Sequence, residues 1–192
     1  VLFRSQIEPS WEFHVVEGES HFLEQQICDG LVDVGLFPTP IYSQDLESYP
    51  VLDEQILLAI SVENKKAIAI ADSLMTGDGI REIAPFGAFP FILLREGLKL
   101  RTLVNRLCQA ECFVPKAVIG SETLDSCRSL VEDDYGITFL PSTLNSKGDD
   151  DKVKFYPLAS KLCFRQLVLV ARSDRAKRFH LSEVAHIMQQ FL

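Results

Sequence analysis

From Trp11 to Phe37 the chain reads strand, helix, strand, and no other stretch constrains the fold as strongly. Trp11-Glu12-Phe13-His14-Val15-Val16 alternates large apolar with polar residues, the pattern of a half-buried strand, and Gly18 ends it. Ser20 to Cys28 then carries Leu23 and Ile27 four apart, a short amphipathic helix stopped by Gly30. Leu31 to Phe37 is the second strand; it encloses Asp33 and halts at Pro38-Thr39-Pro40. A helical crossover between two strands favours parallel pairing, so this unit predicts an α/β protein with a parallel sheet. Val32, Val34 and Leu36 are expected to anchor the second strand, and Asp33 to be a paired structural carboxylate.

A second run of the same kind follows. Gln55 to Ser61 is an apolar strand, Ala67–Ala71 suits helix or strand, and Ile80, Ile83 and Phe86 fit one face of a short helix. Pro90 to Leu94 reads as a buried strand with proline at its permitted first position. Past Gly97, Leu100, Leu103, Val104, Leu107 and Cys108 line one helical face. Ala117–Gly120 is a short strand, Ser121-Glu122-Thr123 leads into a helix with Leu124, Cys127, Leu130 and Val131 inward, and Tyr135–Pro141 is the next strand. Asn145 to Lys152 is a polar loop without the regular ligand offsets of a Ca²⁺ site. Strands over Val153–Pro157 and Leu162–Ala171 and a helix over Leu181–Leu192, its core face Leu181, Val184, Ala185, Met188 and Phe191, complete two α/β lobes, the C-terminal strand and helix belonging to the first.

Composition removes several function classes. The 27 Asp and Glu against 19 Lys and Arg give a formal charge of −8, which repels a phosphate backbone and makes the chain a poor DNA binder by itself. The longest apolar runs, such as Ala67–Ala71 and Phe89–Leu94, are far too short to span a bilayer. The five cysteines, Cys28, Cys108, Cys112, Cys127 and Cys163, lack disulfide-framework spacing and read as small hydrophobes of a reducing cytoplasm. Val1–Ser5 matches one translation frame of a common sequencing-adapter tail, so native sequence is expected from about Gln6.

Catalytic signatures are missing. His14, His21, His180 and His186 have no metal-ligand spacing, and no nucleophile elbow, phosphate-cradling loop or dinucleotide fingerprint occurs, so neither metal nor cofactor is expected. Cys108 and Cys112, four apart on one helix, suit packing better than a disulfide.

Topology supplies the ligand signal. Open α/β sheets bind ligands beyond the carboxyl ends of strands, where helix N-termini present N–H groups. Those ends are Phe37-Pro38-Thr39, Leu94-Arg95-Glu96-Gly97 and Gly120-Ser121-Glu122-Thr123. Hydroxyls, one Arg and helix donors suit a small carboxylate or similar anion. Ser121 and Thr123 serve equally as helix caps, or as both cap and ligand contact, and Arg95 equally as a solvated rim residue.

In this order, Val16-Glu17-Gly18, Asp29-Gly30-Leu31-Val32-Asp33-Val34-Gly35-Leu36, Pro90-Phe91-Ile92-Leu93, Ser121-Glu122-Thr123 with Leu130-Val131, and Tyr135 to Pro141 resemble the effector-binding domain of LysR-type transcriptional regulators. Arg165 to Arg172 is similar to that family's late returning strand, and the likeness runs from about Gln6 to Leu192. The resemblance implies a type 2 periplasmic-binding-protein fold: two Rossmann-like lobes, a hinge, and a small molecule in the cleft. It places lobe I at residues 1–93 and 161–192 and lobe II at 94–160. It implies effector contacts at Thr39, at Leu94, Arg95, Glu96, Gly97 and Leu98, and at Thr123, beside the Ser121 that topology selects. Family members are dimers or tetramers that reach DNA through an N-terminal winged helix-turn-helix, absent from this chain together with the first strand of lobe I and its Ser/Thr loop. Dimers of the family pair the first helix and second strand with the partner's second lobe. One face of Trp11–Val16 is the corresponding surface here, unless both faces are intramolecular. Peroxide-sensing members need a reactive cysteine where this chain has Lys99, with Cys108 at the partner position, so peroxide sensing is not expected.

The expected function is therefore effector sensing in a cytoplasmic, non-enzymatic regulator, with a small-molecule effector as partner and no membrane contact. A transporter's solute-binding protein shares the fold and is the alternative. Enzymes such as prephenate dehydratase share it too, but their Thr-Arg-Phe motif does not occur here.

Overall fold

The computed structural model describes residues 14–145 and 152–190, which form two compact α/β units. The first comprises residues up to Asp53 together with Arg165 onward, and the second runs from Glu54 to Phe164. The lobe boundary expected between Leu93 and Leu94 falls inside the second unit. Phe91, Ile92, Leu93 and Leu94 are core residues there, in one cluster with Ile56, Leu58, Ile137 and Phe139. The chain crosses between units within one long strand and again where the last strand begins.

In the first unit, helix α1 (Ser20–Cys28) leads through turns at 29–34 into strand β1 (Gly35–Pro38). Strand β2 (Leu46–Ser61) begins in this unit, and β9 (Phe164–Arg172) runs between β1 and β2 in the sheet. β9 alternates its side chains between two layers, as the period-two geometry of a strand requires. Val168 and Val170 pack with Ile27 of α1 and Phe37 of β1. Leu169 faces the other way, onto Val51 and onto Val184 and Ala185 of the C-terminal helix α6 (Leu181–Gln189). A short helix, α5 (Ser173–Ala176), links β9 to α6.

Three expectations for this unit change. His14, Val15 and Val16 carry no regular structure, and Trp11, Glu12 and Phe13 lie outside the described residues. β1 is shorter than the expected 31–37 strand and pairs antiparallel with β9, with Phe37 opposite Val168. Leu36 is 44% exposed, since Phe37 takes the inward position and its neighbour must point out. Val32 and Val34 still pack against the first-unit clusters from the turn region rather than from a strand. Asp33 is paired as expected: Arg175 Nη1 lies 2.6 Å from its Oδ1.

In the second unit the later half of β2 lies between β7 (Thr138–Pro141) and β8 (Val153–Pro157), antiparallel to both. Its residues Ile56 to Ile60 are consequently apolar without interruption and buried. Lys65–Leu74 forms helix α2, which resolves the Ala67–Ala71 ambiguity; Asn64 caps it, its Oδ1 accepting from the Ala67 N–H at 3.1 Å. A hairpin of β3 (Met75–Thr76) and β4 (Gly79–Ile80) follows, so Ile80 is in a strand and not on the expected helix face, whereas Phe86 lies in a 3₁₀ turn over Ala84–Ala88. Ile80, Ile83 and Phe86 are all buried.

The parallel strand–helix–strand unit occurs at residues 90–121. β5 (Pro90–Leu94) runs into α3 (Lys99–Ala110) and returns as β6 (Lys116–Ser121), parallel to β5. Helix α4 (Leu124–Glu132) then leads to β7. Gly136 seats that return: a Cβ there would stand 2.6 Å from the Pro90 carbonyl oxygen, and the neighbouring Ile137 N–H donates to the same oxygen at 3.0 Å. Phe91, fully buried, stacks on Phe139 with ring centroids 5.7 Å apart and meets Phe113 at 5.6 Å. The Asn145–Lys152 loop and Phe191 lie largely or wholly outside the described residues. Among the described residues no helix is long and apolar enough to cross a membrane.

Candidate functional site

The carboxyl ends of β5 and β6 lie side by side because the strands are parallel, Leu94 being in register with Ser121. The Arg95 N–H donates to the Ser121 carbonyl at 2.8 Å and ties the two ends together. Each strand is followed by a helix, but the two helix starts differ. α4 is capped: the Thr123 hydroxyl accepts from the Ser126 N–H at 3.2 Å and donates to Ser126 Oγ at 2.8 Å. Ser121 is buried, donates to the Thr123 carbonyl at 3.0 Å and accepts from the Thr123 N–H at 3.3 Å. The capping alternative thus applies to Thr123, and Ser121 shapes the turn beneath it.

α3 starts without a side-chain cap, since Leu98 occupies the N-cap and turns its side chain to the core. Its first turn holds Lys99 and Arg101 and no acidic residue. Cations at a helix start oppose the usual preference, because the N–H groups there already carry positive partial charge. With both first helical turns counted, Arg95, Lys99 and Arg101 stand against Glu96, Glu122 and Asp125 at these strand ends, a local balance of zero in a chain of charge −8. Arg95 Nε lies 3.7 Å from Glu122 Oε1. Gly97 turns the connection with φ +93°, a left-handed backbone that favours glycine.

Arg101 organises the segment. Its Nη1 donates to the Leu94 carbonyl at 2.9 Å, its Nε to Asn105 Oδ1 at 2.9 Å, and its Nη2 lies 2.6 Å from Glu96 Oε1. Asn105 Nδ2 donates to Glu96 Oε2 at 3.2 Å, which closes the ring. Sequence reasoning missed Arg101 and Asn105, although two cations in a first helical turn are the signal that could have found Arg101.

Of the expected contacts, Leu94, Arg95, Glu96, Gly97, Leu98, Ser121 and Thr123 all belong to the second unit, where they are brought together. Leu94 is buried and Leu98 packs against the core, so their side chains serve the fold. Thr39 belongs to the first unit, where its N–H continues the β1 ladder by donating to the Gln166 carbonyl at 2.9 Å.

Cys108, Cys127 and Cys163 are buried packing groups, Cys28 is half-buried, and Cys112, expected on the same helix as Cys108, is exposed with φ +52° beyond the helix end at Ala110. Burial pushes Cys108 up to about 11 and Cys163 up to about 12, and raises Cys127 as well. Lys99 and a buried, protonated Cys108 are not an arrangement that yields a nucleophilic thiolate. Among the described residues no group of His, Cys, Asp and Glu could hold a metal ion.

Curated relatives match this chain in sequence, and solved structures match it in architecture. YcgK of Bacillus subtilis (strain 168), described as an uncharacterized HTH-type transcriptional regulator, is 28% identical over 176 residues, covering 87% of this chain and 54% of YcgK. The chain spans about half the length of the curated relatives it matches. The reduced form of OxyR from N. meningitidis superposes with a TM-score of 0.78 at 18% identity, covering 98% of this chain and 85% of that one. The regulatory domain of CcmR from Synechocystis PCC6803, in complex with 2-PG, gives 0.79 at 14% identity, covering 98% and 88%. These likenesses establish the fold, α/β of the type 2 periplasmic-binding-protein-like class. The model of the LysR substrate binding domain matches residues 5–192, nearly the whole chain, and the chain therefore belongs to that family.

Proposed function

We propose that this chain is the effector-sensing part of a LysR-type, DNA-binding transcriptional regulator, and that its effector is a small anionic metabolite. Family membership over residues 5–192 is the observation that carries the reading. The local chemistry supports an anion: Arg95 and the uncapped start of α3, with Lys99 in its first turn, offer charge and N–H donors at one place. Thr123 can keep its cap while its hydroxyl hydrogen turns from Ser126 to a ligand oxygen, because accepting from the Ser126 N–H uses only a lone pair. Arg95, Glu96, Gly97, Leu98, Ser121 and Thr123 are the proposed contacts or their supports, with Leu94 beneath them. Thr39 is proposed on the family pattern.

A panel of small carboxylates and phosphate esters, with 2-PG as its first member, tests this by melting shifts. A rise in Tm with one class of anion, lost in Arg95→Ala, is expected. No rise with any member, or equal rises in Arg95→Ala and Thr123→Ala, would overturn the assignment. A ligand regulates only if it binds two arrangements of the protein with different affinity, so binding alone is the first step of the test.

The full regulator is proposed to be a cytoplasmic, non-enzymatic homodimer or tetramer that reaches DNA through a separate helix-turn-helix. The gene upstream of this segment decides between readings: a helix-turn-helix supports the regulator, and a secretory signal there would point to a solute-binding protein instead.

A further inference from the structure

The peptide unit joining Leu94 to Arg95 is held at both polar atoms. Its N–H donates to the Ser121 carbonyl at 2.8 Å, and its carbonyl accepts from Arg101 Nη1 at 2.9 Å. Neither bond belongs to a helix, and the second is made by a side chain seven residues away. The Arg101 side chain is only 16% exposed, and its guanidinium is engaged on three edges, by Leu94, Asn105 and Glu96. Asn105, one helical turn beyond Arg101, fixes the plane of the fork and also holds the far oxygen of Glu96. Glu96, 69% exposed, would otherwise be a mobile surface carboxylate beside Arg95.

We propose that Arg101, with Asn105 and Glu96 as its counter-groups, is a positioning residue: it locks the Leu94–Arg95 peptide and so sets the direction in which Arg95 leaves β5. One physical point carries this. A planar fork with donors at fixed angles can satisfy three acceptors at once, which a lysine ammonium on a flexible stem cannot do with the same geometry. Arg101 and Asn105 together hold both oxygens of Glu96, and Arg95 Nε stands 3.7 Å from Glu122 Oε1. The consequence for recognition rests on the reading of Arg95 as an effector contact; the lock itself does not.

The test is run on the full 192-residue chain without any anion, so its outcome is separate from that of the effector panel. Amide exchange and arginine Nε–Hε spectra are recorded for wild type, Arg101→Lys, Asn105→Ala and Glu96→Gln. Arg101→Lys is expected to speed exchange of the Arg95 amide about tenfold, a factor equal to about 1.4 kcal/mol of opening free energy. It is also expected to move the Arg95 Nε–Hε peak while the Arg128 peak, paired to Glu132, stays in place. Glu96→Gln, which retains an acceptor, is expected to lie near wild type, and Asn105→Ala between the two. An Arg95 amide within twofold of wild type in Arg101→Lys would overturn the lock. So would equal acceleration at Phe139, which would make Arg101 a general stabiliser only. Should Arg101→Lys fail to fold, Asn105→Ala decides by the same two readings.

Discussion

Asp33 and Arg175 meet at 2.6 Å, Oδ1 to Nη1, across 142 residues of sequence. The pair joins the turn before β1 to the short helix after β9, the two strands that are themselves antiparallel neighbours. Gly30, with φ +75°, lets both Arg175 and Arg172 come close: a Cβ there would stand 3.4 Å from Arg175 Nη2.

The partners are 62% and 31% exposed, so solvent screens the pair. Asp33→Asn should cost no more than about 1 kcal/mol in urea melts. A loss of several kcal/mol would show that Asp33 does more than tie the turn.

Thr123 has a structural task independent of any ligand. Thr123→Ala should lower stability by about 1 kcal/mol through loss of the α4 cap, and Thr123→Asn should restore most of it. If the melting temperature of the ligand-free protein is the same in all three, the cap is not contributing.

At Gly136 a methyl group has no room, because the atom it meets is backbone, the Pro90 carbonyl oxygen at 2.6 Å. Gly136→Ala must push β7 away from β5 and should cost about 1–3 kcal/mol, as overpacking does. Near-wild-type stability would mean the two segments separate freely.

Alkaline pH should destabilise the protein through its buried thiols. Cys108 and Cys163 ionise in the folded state only near 11 and 12, because burial disfavours the thiolate, while the unfolded reference is 9.0. Below pH 9 both states hold these protons. Above it the unfolded chain releases them first, so stability falls with rising pH until the folded values are reached. The loss is of the order of 1 kcal/mol per thiol per pH unit at most. Unfolding free energies at pH 8 and pH 10 should differ less in a Cys108→Ala/Cys163→Ala variant than in wild type. Equal slopes would remove the thiols as the cause. Slow alkylation of Cys108 beside the exposed Cys112 at pH 8 checks the same assignment.

Local pattern determined most of the second unit. The strand over Pro90–Leu94, the helix whose inward face is Leu100, Val104, Leu107 and Cys108, and the strand over Val153–Pro157 follow from period and punctuation, and all are found. The family was legible too, because several loose motifs in fixed order are jointly specific. Pairing was not. Period two tells a residue which face it occupies but not which strand lies beside it, so β1 beside β9, antiparallel, became visible only in the tertiary structure. The same limit governs the site. Arg95 and Thr123 could be singled out from their places at strand ends, but whether a hydroxyl caps a helix or faces a ligand depends on its rotamer. Arg101 gains its position from three acceptors, of which Leu94 contributes a backbone oxygen that no residue code records. The chain by itself determined which residues gather at the ends of β5 and β6; the folded contacts decided which of them are hydrogen-bonded, which are packed, and which cap a helix.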